Sequence, residues 1–348
     1  MSKTTDALPV AELEERAAEL TRADGQTDRP RVRGALQDAY LRRIPNDEDW
    51  SFFFASSALT CDARYTTGTV SVNTQDSAAT FSTDVTITAA MTGRKFKAND
   101  NADVYDFTRA NDTGGTLSPV LSGDRNITSG AYTIFQPTYT LADDFDRFPR
   151  GGGLLLYQGG KPTVIPELLL QKYWEKYTAS PGTPAYCRLS GVDTAGRQRV
   201  EVTPGPSTAI NLVATYLRRP LPLRSTTSGT VTVDAGSTTA TVHAGARLLE
   251  AGTGWYFRGD AFGTGADSEW YRVSTLNVAT SALTLQLAFG VSGATSAGYT
   301  LSMAPDMPVK MHQAVLFGGV ATVLADQNDP LWQAYDLRYR EVIAEGKR

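Results

Sequence analysis

Two stretches 161 residues apart alternate β-branched and small polar residues in the same way: Thr69, Val70, Ser71, Val72 in the first and Thr230, Val231, Thr232, Val233 in the second. A period of two with β-branched residues predicts a half-buried strand in each. A turn-rich patch follows (73–77 and 234–238), then a second short alternating run (78–81 and 239–242), so each place predicts a hairpin. At the same offset "TGRKFK" (92–97) matches "TGWYFR" (253–258). Further on, "DVYDF" (103–107) answers "EWYRV" (269–273), and "GAYTI" (130–134) answers "AGYTL" (297–301), the offset having grown to 166 and 167 through insertions that belong in loops. Each copy holds about six short strands in roughly 75 residues, which predicts a small β-barrel or sandwich written twice. Phe96, Tyr105 and Tyr132, with Phe257, Tyr271 and Tyr299 at the matching places, are expected in the two cores.

Outside the copies the period lengthens to that of a helix. Val10, Leu13, Ala17 and Leu20 form a stripe behind Pro9, with Glu12 placed to meet Arg16 one turn later. Val32, Leu36, Tyr40 and Ile44 form another after Asp28 and Pro30. "WSFFFASSAL" (50–59) is expected as a third helix, capped from 46–49, and "PELLLQKYWEKY" from Pro166 as an amphipathic helix with Leu169, Leu170, Tyr173, Trp174 and Tyr177 inward. Three alternating runs, "AYCRL", "QRVEVT" and "INLVATYL", predict a meander over 185–217. Two helices close the chain. In the first (309–324) Gly318 and Gly319 permit close approach of a neighbour. The second, capped by Asp329 with Pro330 at its first position, is expected to bury Trp332, Tyr335, Tyr339 and Val342.

Neither terminal set of helices can bury its stripe alone. The expected fold class is therefore α+β: a discontinuous helical core (helix bundle plus β-meander) made of residues 1–66, 138–225 and 305–348. Two duplicated small β-barrel or sandwich modules are inserted into it at 67–137 and 226–304.

Composition narrows the functional classes. The apolar fraction of 41% over 348 residues is enough for real cores, and a net charge of −4 argues against a chain that coats nucleic acid. The most apolar stretch, 311–325, contains His312 and Gln313 and falls short of the ~20 residues of a membrane span. The start, "MSKTTDALPV", lacks a charged region followed by an apolar run, so a soluble chain without an export signal is expected. Cys61 and Cys187 have neither zinc spacing nor a disulfide framework, and are expected as buried thiols.

No candidate chemistry converges. His243 is expected to face solvent, and His312 to sit at a helix start as a tolerated imidazole rather than a ligand. "FGTGADS" (262–268) imitates a phosphate loop but has no helix behind it. "DDFD" (Asp143, Asp144, Asp146) lacks the register and closing Glu of a calcium loop and is expected as a polar turn. No catalytic, cofactor or metal residue is assigned, and the chain is expected not to be an enzyme. Charge is uneven, however: between Arg147 and Arg224 stand eleven basic residues against four acidic ones. That excess predicts a surface for an acidic neighbour or for passing nucleic acid, with Arg197, Arg199, Arg218 and Arg219 as its centre. The charged end of the chain adds Arg338, Arg340, Lys347 and Arg348 as partner-interface candidates.

One family shows this layout. A "SGTVTV"-type module after the N-terminal helices is followed by "YTLADDFDRF" (139–148), "PAYCRLSG" (184–191), "VEVTPGP" (200–206), residues 212–223 with "YLRRPLPL", and helices over 308–339. The chain resembles the head-to-tail adaptor (connector) proteins of tailed bacteriophages. The resemblance implies a virion protein at the head–tail interface, assembled in the host cytoplasm. It implies a homo-oligomeric ring, typically twelvefold, beneath the portal protein, docking a tail or nozzle protein below and letting DNA pass through its lumen without sequence specificity. The second module, between Leu223 and Pro305, departs from simpler adaptors, which run almost directly into the closing helices. Two other readings compete. One is a different tail, nozzle or fibre-attachment protein of the virion; the other is a glycan-binding protein with twin β modules, for which Trp255 and Trp270 would be the platform.

Overall fold

The alternating runs pair as their period requires. In the first copy Val70–Val72 runs antiparallel to Ala78–Phe81, with Val70 opposite Phe81; in the second Val231–Val233 pairs with Thr239–Val242, with Val231 opposite Val242. The structure is a computed structural model that describes residues 7–23, 28–99, 101, 103–122, 126–158, 161–167, 181–227, 229–243, 254–259, 269–290 and 293–347. It is mixed α+β, mostly strand, with a few helices and barrel-like, nearly closed sheets.

The first sheet runs in the order Ile127–Gly130, Val70–Val72, Ala78–Phe81, Gly114–Ser118, Tyr105–Asn111, Arg94–Ala98, Tyr132–Phe135. The second runs Ala294–Ala297, Val231–Val233, Thr239–Val242, Ala282–Leu285, Tyr271–Asn277, Tyr256–Gly259, Tyr299–Ser302 and adds Ser225–Thr226 at its end. Strand for strand the order is the same. Even the entry corresponds: Tyr65 bridges Ile134 in the first sheet, and Thr226 pairs with Leu301 in the second. The predicted aromatics fill both interiors. Phe96 stacks on Tyr132 and Phe257 on Tyr299, each with ring centroids 6.0 Å apart.

The chain divides into two compact units, one of residues 1–53 with 220–348 and one of residues 54–219. In the first, α1 (Val10–Thr21), α2 (Arg29–Asp38), a π-helical turn (Ala39–Arg43), α3 (Ile44–Asp47), α4 (His312–Asp326) and α5 (Trp332–Gly346) accompany the second sheet. α4 is apolar nearly all round because α1, α2 and α5 all pack on it. Along α1 the buried residues are Val10, Leu13, Ala17 and Thr21; Leu20, expected inside, is exposed one position off the stripe. On α5 only Tyr339 and Ile343 are buried. Trp332 is exposed and Tyr335 and Val342 are half-buried, contrary to expectation, because α4 meets one narrow stripe of α5 and no described residue of the unit buries the rest. α1 also docks on the second sheet, where Trp270 and Tyr256 bury Ala7 against them and Arg258 pairs with Glu15 at 2.6 Å.

The second unit holds the first barrel-like sheet and a separate core. Phe54–Cys61, expected as part of a helix, is a strand: after one 3-10 turn (Ser51–Phe53) it pairs along its whole length with Ile210–Arg218, from Phe54 opposite Leu217 to Cys61 opposite Ile210. The sheet continues through Gly153–Gln158 and Lys161–Pro166. The meander is corrected as well. Tyr186–Val192 and Gln198–Thr203 do pair, but their next neighbour is Thr138–Thr140, and the third run leaves for the other sheet. Leu59, Tyr139, Leu154, Val200, Val202, Leu212 and Ala214 from both sheets make one buried cluster, including the two free thiols Cys61 and Cys187. Residues 138–219 thus complete this core and fall with the first β module, not with the terminal helices as expected. Pro166 closes a strand rather than opening a helix, and the rest of that expected helix lies outside the described residues.

Candidate partner interface

The basic residues named from the sequence are placed by short turns and strand ends, and several are already engaged. Arg197 lies in the turn that joins Tyr186–Val192 to Gln198–Thr203. Asp193 accepts the backbone N–H of Ala195 and of Arg197 at 2.9 Å each and Arg197 Nε at 2.8 Å, and Asp143 stands 3.7 Å from the same Nε. The Arg197 backbone bond, then its side chain and the Ala195 N–H, hold the Asp193 carboxyl below its ordinary range. Arg199 is half-buried opposite Thr140. Arg218 ends its strand opposite Phe145, and Arg219 is exposed while its backbone N–H donates to Asp144 O at 2.6 Å.

The "DDFD" turn is therefore an internal counter-charge. Besides Asp143 on Arg197, Asp144 accepts from Tyr216 Oη at 2.6 Å and Asp146 pairs with Arg147 at 3.0 Å. Burial, helped by Asp144, pushes the Tyr216 hydroxyl up to about 12, so it stays a donor. Arg188 and Glu201, cross-strand partners, pair at 2.7 Å. Arg147, Arg188 and Arg197 are thus already met by nearby carboxylates.

The C-terminal candidates sit on α5. Asp336 accepts from Arg43 and, at 2.8 Å, from Arg340 Nε. Burial acts to raise its carboxyl, but the bonds and charges of Arg43 and Arg340 outweigh that and hold it below the usual carboxylate range. Arg43 lies 3.8 Å over the ring of Tyr339, whose hydroxyl donates to Asp47 and is raised by burial and then by that carboxylate. Lys347 pairs with Glu48 at 2.7 Å. These residues line a shallow cavity of about 360 Å³ with Arg340, Ile343 and Ala344. Arg338 reaches over Tyr335 and Phe317 at 5.6 and 5.9 Å. Arg348 lies outside the described residues. Arg340 and Lys347 thus take part in a lock between the helix and residues 43–48, and the first four arginines belong to the other unit.

Sequence reasoning missed the exposed apolar residues of α5 and of the turn before it: Leu331, Trp332 and Leu337 are 53%, 37% and 59% exposed. A count of how many neighbours face the helix would have been needed to find them. The glycan platform is corrected, since Trp270 is buried under Ala7 and Trp255 is packed against the second core. "FGTGADS" lies outside the described residues. Among the described residues no group of His, Cys, Asp and Glu is disposed to hold a metal ion, and no helix is long and apolar enough to cross a membrane. No protein-family model matches this sequence, and no curated protein matches it.

Proposed function

We propose that the chain is a head-to-tail adaptor of a tailed bacteriophage, a structural subunit of a ring, twelvefold by resemblance, that sits beneath the portal protein and docks the tail. In this reading neighbouring copies meet through the terminal helices, and the two sibling β modules present surface to the other virion proteins. The observation that carries it is α5. One side is bound inward by Tyr339, Ile343 and the Asp336 ion pairs, while Leu331, Trp332 and Leu337 stand in solvent. Large apolar side chains exposed at and along one terminal helix suit a protein contact, each worth at most about 1.5–3 kcal/mol when covered. Duplicated sheets whose strand order is the same and whose interiors are filled with aromatics suit rigid presentation of surface rather than catalysis.

Negative-stain microscopy of the purified chain, alone and with portal protein, tests the proposal: rings, or rings that form only on the portal, support it, and dispersed monomers in both samples reject it. Replacing Trp332 and Leu337 together by Asp is expected to abolish rings while leaving the monomer's circular dichroism and melting temperature unchanged.

A further inference from the structure

α1 starts without a side-chain cap. Pro9, in extended conformation at φ −61 and ψ 156, stands before Val10, and the first N–H groups of a helix have no intrahelical partner. Distant residues supply the acceptors. Val10 N–H donates to Met303 O at 2.8 Å, Ala11 N–H to Ser302 Oγ at 3.0 Å, and Leu8 N–H to His312 Nδ1 at 3.0 Å across 304 positions of sequence.

His312 is 2% exposed. Its Nε2 lies 3.2 Å from Met307 O, and a carbonyl only accepts, so Nε2 carries the proton and Nδ1 presents its lone pair to Leu8. Burial lowers the imidazole below its ordinary 6.5, against the opposing pull of the Met307 and Pro305 carbonyls. The charged groups on the surrounding elements are otherwise occupied or exposed. On α1, Glu12 pairs with Arg16 and Glu15 with Arg258; on α2, Arg31 pairs with Asp326 and Arg33 with Glu14; on α5, Asp336 is held by Arg43 and Arg340, with Glu341 and Glu345 exposed. Asp306 and Lys310, on the segment that leads into α4, are exposed too. Among the described residues no carboxylate comes within 4.0 Å of the ring.

A second proton on the ring goes to Nδ1. It would set one N–H donor against another, beside the positive end of the α1 dipole, with no carboxylate to compensate. We propose that His312 is an acid-released latch: the neutral ring fastens the segment that leads into α1 to the start of α4, and protonation of Nδ1 frees it. The sign follows from the lowered value. The attached state takes up fewer protons than the detached one, so attachment is complete above pH 6.5. Below that it weakens by at most tenfold per pH unit until the attached ring itself titrates, and then levels off.

Hydrogen exchange of the full chain between pH 7.5 and 5, corrected for the intrinsic pH dependence of exchange, reads the opening of the peptide that begins at Leu8. The opening equilibrium of the wild type is expected to rise by up to tenfold per unit below pH 6.5. In His312→Gln, whose amide oxygen accepts from Leu8 N–H without titrating, it is expected to stay flat. His243→Gln changes the other histidine, which is exposed and bonded to Thr232, and should keep the wild-type profile. A flat wild type, or equal slopes in wild type and His312→Gln, overturns the latch. Should His312→Gln not fold, ring-nitrogen NMR of His243→Gln decides. A bare Nδ1 at neutral pH that titrates below 6.5 supports the latch; an Nδ1–H tautomer, or titration at or above 6.5, overturns it.

Discussion

Gly319 sits where a hydrogen is all that fits. A Cβ there falls 2.7 Å from Leu36 Cδ2 and 3.2 Å from Leu36 Cα, and a backbone atom cannot swing away as a side chain can. Gly319→Ala would gain about 1 kcal/mol of helix propensity but lose roughly 1–3 kcal/mol to overpacking of α2 on α4. A net loss is expected as a lower urea midpoint with unchanged slope. Gly318→Ala, whose neighbours Ala39 Cβ and Tyr339 Cδ2 are 3.2 Å off, is expected to lose less. At Asp336 the folded carboxyl is held below 3.8, so its contribution is complete above that pH and disappears as pH falls through the lower folded value. Asp336→Asn should flatten the acid limb of a stability profile measured from pH 5 to 2. The glycine pair was legible in the sequence, because two glycines inside an apolar helix have few other uses. The partners of Asp336 were not, since Arg43 stands 293 positions away.

At the scale of elements, the two copies invite a matched experiment. Phe96 and Phe257 hold equivalent places, both fully buried and both stacked at 6.0 Å on a tyrosine. Each, replaced by Ala, is expected to cost about 3–5 kcal/mol, seen as early unfolding of its own unit by proteolysis or hydrogen exchange. The copies differ where the second meets α1. Tyr256, Arg258 and Trp270 grip that helix, while the first copy has Lys95, Lys97 and Val104 there. Trp270→Ala should therefore loosen α1, and its readout is faster exchange over residues 10–21 with the sheet unaffected. Hairpins, turns and the equivalence of strands were readable, because period two and turn residues act locally. The Phe54–Cys61 strand was not: its partner begins at Ile210, and aromatic residues serve in helix and strand alike.

At the scale of the whole molecule the chain crosses between units twice, leaving the first after Phe53 and returning at Pro220. Each unit owns separate buried clusters. Calorimetric unfolding is expected to exceed the van't Hoff enthalpy of a single transition, the mark of more than one cooperative body. The basic interface candidates named from the sequence also separate at this scale. Arg197 and Arg219 belong to one unit and Arg340 and Lys347 to the other, and carboxylates already pair with Arg197, Arg340 and Lys347.

The sequence by itself determined the repeat, the strand period, the aromatic cores and the Val32, Leu36, Tyr40, Ile44 stripe, because these arise from side-chain spacing over a few residues and from free energy gained by burying apolar surface. Only the tertiary structure decided which strands share a sheet after residue 138, which face of α5 stays in water, and that the imidazole of His312 holds the segment leading into the first helix. Those outcomes depend on contacts between separate elements of the chain, up to 304 positions apart, which no local pattern encodes.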